Sequence, residues 1–92
     1  MIRSFRDTEA EKILKGEHSK VYANIERVAR RKLIEIDSAK VLQDLGVLPG
    51  NYLEALTGDR KGQHSLRINR RYRICFTWRE PDAYDVEITD YH

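Results

Sequence analysis

The chain is poor in several things that would decide its class at once. It has one cysteine, Cys75, so an intrachain disulfide is excluded. No cluster of Cys and His has zinc spacing, so no structural or catalytic metal is expected. No apolar run approaches membrane length, and "MIRSFRDTEAEK" is too polar for a signal peptide. Repeats and low-complexity segments are also missing. These absences together point to a cytoplasmic protein with no metal, no cofactor and no membrane contact. The last scarcity is local. Between Arg60 and Arg79 there is no Asp or Glu at all, while seven Lys or Arg residues occupy that stretch.

What is present fits one small folded unit spanning residues 1–92. Hydrophobic residues make up 40% and charged residues 35%, enough for a modest core. The formal net charge is only +2, but its distribution is lopsided. After the basic stretch come Glu80, Asp82, Asp85, Glu87 and Asp90. Such separation builds a directed field.

The first half reads as helical. Thr8 and Glu11 have capping-box spacing, and Gly16 closes that helix. "SKVYANIERVARRKLIEID" carries Ile25, Val28, Ala29, Leu33 and Ile36 at helical spacing, with Arg27, Arg30, Arg31 and Lys32 on the solvated side. A short third helix is expected over "SAKVLQDLG", with Ser38 as N-cap and Gly46 as stop. Pro49 and Gly50 then make a turn, "YLEAL" is a short strand or extended run, and "TGDRKG" is a loop.

The second half alternates with period two. His64, Leu66 and Ile68 share a face, as do Tyr72, Ile74, Phe76 and Trp78, and then Tyr84, Val86 and Ile88. The other face collects Ser65, Arg67, Asn69, Arg71, Arg73, Cys75, Thr77, Asp85, Glu87, Thr89 and Tyr91. With "NRR" and "EPDA" as turns, this is a three-stranded antiparallel meander. "MIRSF" adds a candidate edge strand. The fold class expected is α+β, with two to three helices on one face of a small antiparallel sheet and an exposed basic face opposite.

Guanidinium groups are planar, permanently charged and able to clamp a phosphate with two hydrogen bonds. Arg67 and Arg73 on neighbouring strands, Arg60 and Lys61 in the preceding loop, and Arg70 and Arg71 in the hairpin are therefore candidates to grip RNA. Tyr91 can stack on a base, and Tyr91 and His92 can exchange protons. The same charges also serve solubility, or pair across strands with Asp85 and Glu87. The residues alone leave both readings open. His64 reads as a half-buried core residue, His18 as solvent-facing, and Cys75 as a small strand residue and not a nucleophile.

Three segments taken together resemble a known family: "MIRSF", "LPGNYLEALTGDRKGQHSLRINRRYRICFTW" and the ending "DVEITDYH". They are similar to the HigB toxins of the RelE/ParE superfamily over essentially the whole chain. The resemblance implies a RelE-like fold and a ribosome-dependent endoribonuclease that cuts messenger RNA and blocks translation. It also implies a helix-turn-helix HigA-type antitoxin, with operator DNA bound only through that partner. Arg73, in "YRICF", matches the family's phosphate contact. Asp90, Tyr91 and His92 match its C-terminal active-site run, and Arg67 and Asn69 match its "S.RIN" element. Some members carry a histidine where this chain has Glu54 and a lysine where it has Thr57. Many relatives have other residues at Arg70 and Arg71. Glu54 is then the candidate to stand in as base. The alternative within the superfamily is a ParE-like gyrase inhibitor without nuclease activity, and a third reading is a plain RNA-binding module.

Overall fold

Three helices cover one face of a four-stranded antiparallel sheet. The computed structural model describes residues 1–90. The helices are α1 (Thr8–Leu14), α2 (Glu26–Ser38) and α3 (Gln43–Gly46). The strands are β1 (Glu54–Ala55), β2 (Gln63–Arg67), β3 (Tyr72–Arg79) and β4 (Asp82–Asp90), in the sheet order β1-β2-β3-β4. A single 3-10 turn, Gly58–Arg60, links β1 to β2. The expected meander is therefore present, and "YLEAL" extends it by a two-residue edge strand. At the other edge, "MIRSF" runs parallel to β4 through bridges Ile2–Ala83 and Phe5–Val86.

Period-two alternation builds the core. Leu66, Ile74, Phe76, Val86 and Ile88 point to the helices, where they meet Ile13, Ile25, Ala29, Leu33, Ile36 and Leu45. Most of these side chains are completely buried. Truncating one such residue to Ala removes both its transfer energy and its packing, at a cost of about 2–5 kcal/mol.

The alternation breaks in β4. Cys75 faces Glu87 while Thr77 faces Tyr84, so an extra residue is inserted opposite Phe76. This bulge places Asp85 at φ 54°, a left-handed conformation that Asp tolerates better than most residues. Its consequence corrects the expected pattern. Ala83, and not Tyr84, shares the core face with Val86 and is fully buried, while Tyr84 turns to the Thr77 side.

The helix ends also differ from expectation. Asp7, not Thr8, caps α1, accepting from the Glu9 amide at 2.9 Å. Its other carboxylate oxygen accepts from the Ile88 amide at 3.1 Å, which fastens the helix start to β4. Gly16, at φ 88°, closes α1 as expected. The long helix begins at Glu26 and not at Ser19. Ser19 is fully buried and serves as a polar node. Its amide donates to Glu26 Oε1 at 2.6 Å, its hydroxyl donates to Glu9 Oε1 at 2.7 Å, and the same hydroxyl accepts from the Tyr22 amide. Such local side-chain bonds compete with helix. Ser38 ends α2 instead of capping α3.

The cationic stripe expected on α2 is only half solvated. Arg30 donates to the carbonyls of Ile13 and Glu17 at 2.8 and 2.9 Å. Lys32 is 3% exposed. Its ammonium donates to the Gly50 carbonyl at 2.9 Å and to the Arg67 carbonyl. Lys32 thus ties α2 to the turn before β1 and to the end of β2.

Candidate active site on the open sheet face

Register defines the face that the helices leave uncovered. One row runs Arg67, Arg73, Thr89 across β2, β3 and β4, and the next runs Glu54, Ser65, Cys75, Glu87 across all four strands. Sequence parity alone placed all of these residues but Glu54 together, and the pairing of β1 with β2 adds Glu54. Parity also placed them in solvent, and that part is corrected at the centre: Ser65, Cys75 and Arg73 are buried, Arg73 being 6% exposed. For Arg73 the segment leading into β1 contributes, since it folds against this end of the sheet. Asn51 is held by its side-chain amide to Glu35 and to the Leu45 carbonyl, both at 3.1 Å. The Arg67 amide donates to the Asn51 carbonyl at 2.7 Å. Tyr52 and Glu54 are thereby brought to Arg73.

The Arg73 guanidinium is clamped. Nε donates to Ser65 Oγ at 2.7 Å, and Nη2 donates to the Tyr52 carbonyl at 2.8 Å. The Glu54 carboxylate lies 3.6 Å from Nη2, with its own side chain 58% exposed. A fixed cation and a solvent-reaching carboxylate thus stand side by side. Beside them opens a pocket of about 350 Å³, whose walls include Glu54, Thr57, Arg60, Cys75 and Thr89. The Thr89 hydroxyl donates to Cys75 Sγ at 3.4 Å, which gives the thiol a structural role.

The other expected cations divide into groups. Arg67 donates to the Asn69 carbonyl at 3.2 Å and lies over the Tyr52 ring, 5.2 Å from its centroid. Arg60 reaches Gln63 at 2.9 Å and Glu87 at 3.5 Å. Glu87 is shared with Arg6 at 3.3 Å, and Asp85 also faces Arg6, so neither acid pairs with Arg67 or Arg73. Lys61 and Arg70 are exposed. Arg71 grips Asp90 Oδ2 through Nε at 2.9 Å and Nη2 at 2.8 Å, and this hydrogen-bonded pairing pushes its pKa further up. Asn69 Oδ1 accepts from the Arg71 and Tyr72 amides, both at 2.8 Å, so this side chain shapes the hairpin. Asp90 stands opposite Tyr72 in register, one residue past the row of Arg73 and Thr89. Tyr91 and His92 lie outside the described residues. Among the described residues no group of three or more His, Cys, Asp or Glu could hold a metal ion. No helix among them is long and apolar enough to cross a membrane.

Comparison with known proteins decides the family. The sequence model described as "RelE-like toxin of type II toxin-antitoxin system HigB" matches residues 3–92. The chain belongs to the HigB-like toxin family. This HigB-like toxin is 36% identical over 80 residues to Toxin HigB-1 of Vibrio cholerae serotype O1, covering 85% of this chain and 84% of that one. It is 34% identical over 69 residues to an uncharacterised protein of Haemophilus influenzae, covering 75% and 68%. Its fold is similar to the crystal structure of YafQ from E. coli, with a TM-score of 0.57, 10% identity, and coverage of 99% and 94%. That likeness bears on the fold, which is RelE-like as the sequence resemblance implied.

Three residues of this region carried no signal that sequence reading used. Ser65 looked like one small polar residue among several, yet it orients Arg73. Lys32 looked like one more surface cation. Tyr52 follows "PGN", a turn signature whose meaning for the tyrosine emerges only in three dimensions: its φ is 45°, and its ring is presented to Arg67.

Proposed function

We propose that this HigB-like toxin is a ribosome-dependent endoribonuclease that cuts messenger RNA and is silenced by a HigA-type helix-turn-helix antitoxin. The observation that carries the reading is the Glu54–Arg73 pair beside the pocket, 3.6 Å apart. In the proposed reaction a ribose 2′-oxygen bonds to the adjacent phosphorus and the bond to the 5′-oxygen breaks. The products are a 2′,3′-cyclic phosphate and a free 5′-hydroxyl. Glu54, partly exposed and next to a fixed cation, takes the 2′-hydroxyl proton. Arg73, with Arg67 on the neighbouring strand, stabilises charge on the phosphate oxygens, a task that rewards a guanidinium already locked in place.

His92 returns a proton to the leaving oxygen, and Tyr91 orients a base. Asp90 anchors the start of that C-terminal run through Arg71. Arg60, Lys61, Asn69, Arg70 and Arg71 flank the face and hold RNA phosphates or ribosomal RNA. Operator DNA is engaged only through the antitoxin, and the site of action is the cytoplasm.

The test is cleavage on purified ribosomes programmed with a defined message. The expected products carry 2′,3′-cyclic phosphate and 5′-hydroxyl ends, and appear only when the message is being translated. Inhibition of gyrase supercoiling without any RNA cut would replace this reading with the ParE-like one.

A further inference from the structure

We infer that Tyr52 is a stacking platform for an unpaired nucleobase at the rim of the arginine face. This deepens the nuclease reading and rests on it for the identity of the ligand. Tyr52 is 65% exposed. Here its backbone adopts φ 45°, a left-handed conformation that a bulky residue takes only when its surroundings enforce it. The enforcement is visible. The preceding residue, Asn51, is 1% exposed and bonded on both sides, and the Tyr52 carbonyl accepts from Arg73. The backbone that carries the ring is therefore held in part by the bond that also fixes Arg73.

The ring has a cation beneath it. The Arg67 guanidinium is 5.2 Å from the ring centroid, while its Nε is bound to the Asn69 carbonyl at 3.2 Å. Tyr52, Arg67, Arg73 and Thr89 thus follow one another across the sheet. A base on the ring would leave its own phosphate over the guanidiniums of the next strands. Base–aromatic stacking tolerates any base because every base has a π-face. The ligand class is therefore single-stranded RNA, recognised by stacking and backbone charge and not by base-edge hydrogen bonds. Tyr91 was the ring expected to stack; Tyr52 is a second one, on the opposite side of Arg73 from the C-terminal strand.

The test uses a short single-stranded oligoribonucleotide with one 2-aminopurine, whose fluorescence is quenched by stacking. It compares the full chain with Tyr52→Phe and Tyr52→Gly. Glycine accepts φ 45° without strain, so the backbone clamp on Arg73 survives removal of the ring. Wild type and Tyr52→Phe are expected to bind and quench, and Tyr52→Gly to lose about tenfold or more in affinity together with the quench. Equal binding and equal quench in Tyr52→Gly, or no binding by wild type, would overturn the platform. Message cleavage on ribosomes is read in parallel. Cleavage unaffected by Tyr52→Gly alongside unchanged quench would sink the platform and leave the nuclease reading standing. The expected quench pattern with no message cut by wild type would do the reverse.

Discussion

Arg73 Nε donates to Ser65 Oγ at 2.7 Å, and both side chains are buried on the sheet face opposite the helices. A cation is thus built into the sheet, not draped across it. Burying a guanidinium is tolerated only when hydrogen bonds replace its water. Ser65 supplies one of them. Replacing Ser65 with Ala is expected to destabilise the fold by about 1.5–3 kcal/mol, the range for losing a hydrogen bond to a charged group. Urea unfolding would show a lower midpoint with an unchanged slope.

Lys32 has the same character on the helix side. Its ammonium joins the carbonyls of Gly50 and Arg67, and burial, the largest cause, pulls its pKa down. Lys32→Met keeps the length of the side chain and removes both bonds. A destabilisation of about 2–3 kcal/mol is expected, because the carbonyls of Gly50 and Arg67 both lose this charged partner. The turn carrying Asn51 and Tyr52 should loosen with it, seen as faster amide exchange at Arg67.

His64 contributes one pH dependence. Its imidazole packs near Phe76, 6.3 Å between centroids, and its Nδ1 is buried with no hydrogen-bond partner among the described residues. Burial lowers its pKa below the ordinary histidine value. The unfolded chain therefore binds the proton more readily than the native one. Stability from this group is full above the unfolded pKa of about 6.5 and falls as pH drops below it. His64→Phe is expected to flatten that acid-side decline, measured as thermal midpoint against pH. An unchanged slope would mean that other groups set it.

Asp85 tests the bulge. At φ 54° a β-branched residue is strongly disfavoured, so Asp85→Val should cost about 1–3 kcal/mol. Asp85→Gly should be much milder. Glycine accepts the conformation, and the ion pair with Arg6 that it removes is a long one, at 4.0 Å. Equal destabilisation in the two variants would show that the backbone is not the source.

Much of this was legible in the residues. The parity of Leu66, Ile74 and Phe76 against Arg67, Arg73 and Cys75 put the core on one face and the arginines on the other. Helical spacing found Ala29, Leu33 and Ile36. What escaped depends on partners distant in sequence. Asp85 breaks alternation because a bulge makes two residues face one, which period-two reading cannot see. Ser19 halts the helix because Glu9 and Glu26 reach it from either side. Arg73 is covered in part because residues 51–54 fold against it, an arrangement held by Asn51, Glu35 and Lys32 together. The candidate site was found on the strength of charge and motif. The local geometry of Tyr52 and Ser65 had no sequence pattern of its own.

The proposed nuclease, with its chemistry at Arg73 and the C-terminal run, makes a sharp demand in the cell. The decisive measurement is to induce the chain in bacteria and map cut sites on a translated message by primer extension. Wild type is compared with Arg73→Ala and with a chain ending at Asp90, each checked for folding by circular dichroism. Cuts are expected with wild type, only where the message is translated, and should vanish in both folded variants. Undiminished cutting in either folded variant, or growth arrest by wild type with no cuts at all, would contradict the assignment.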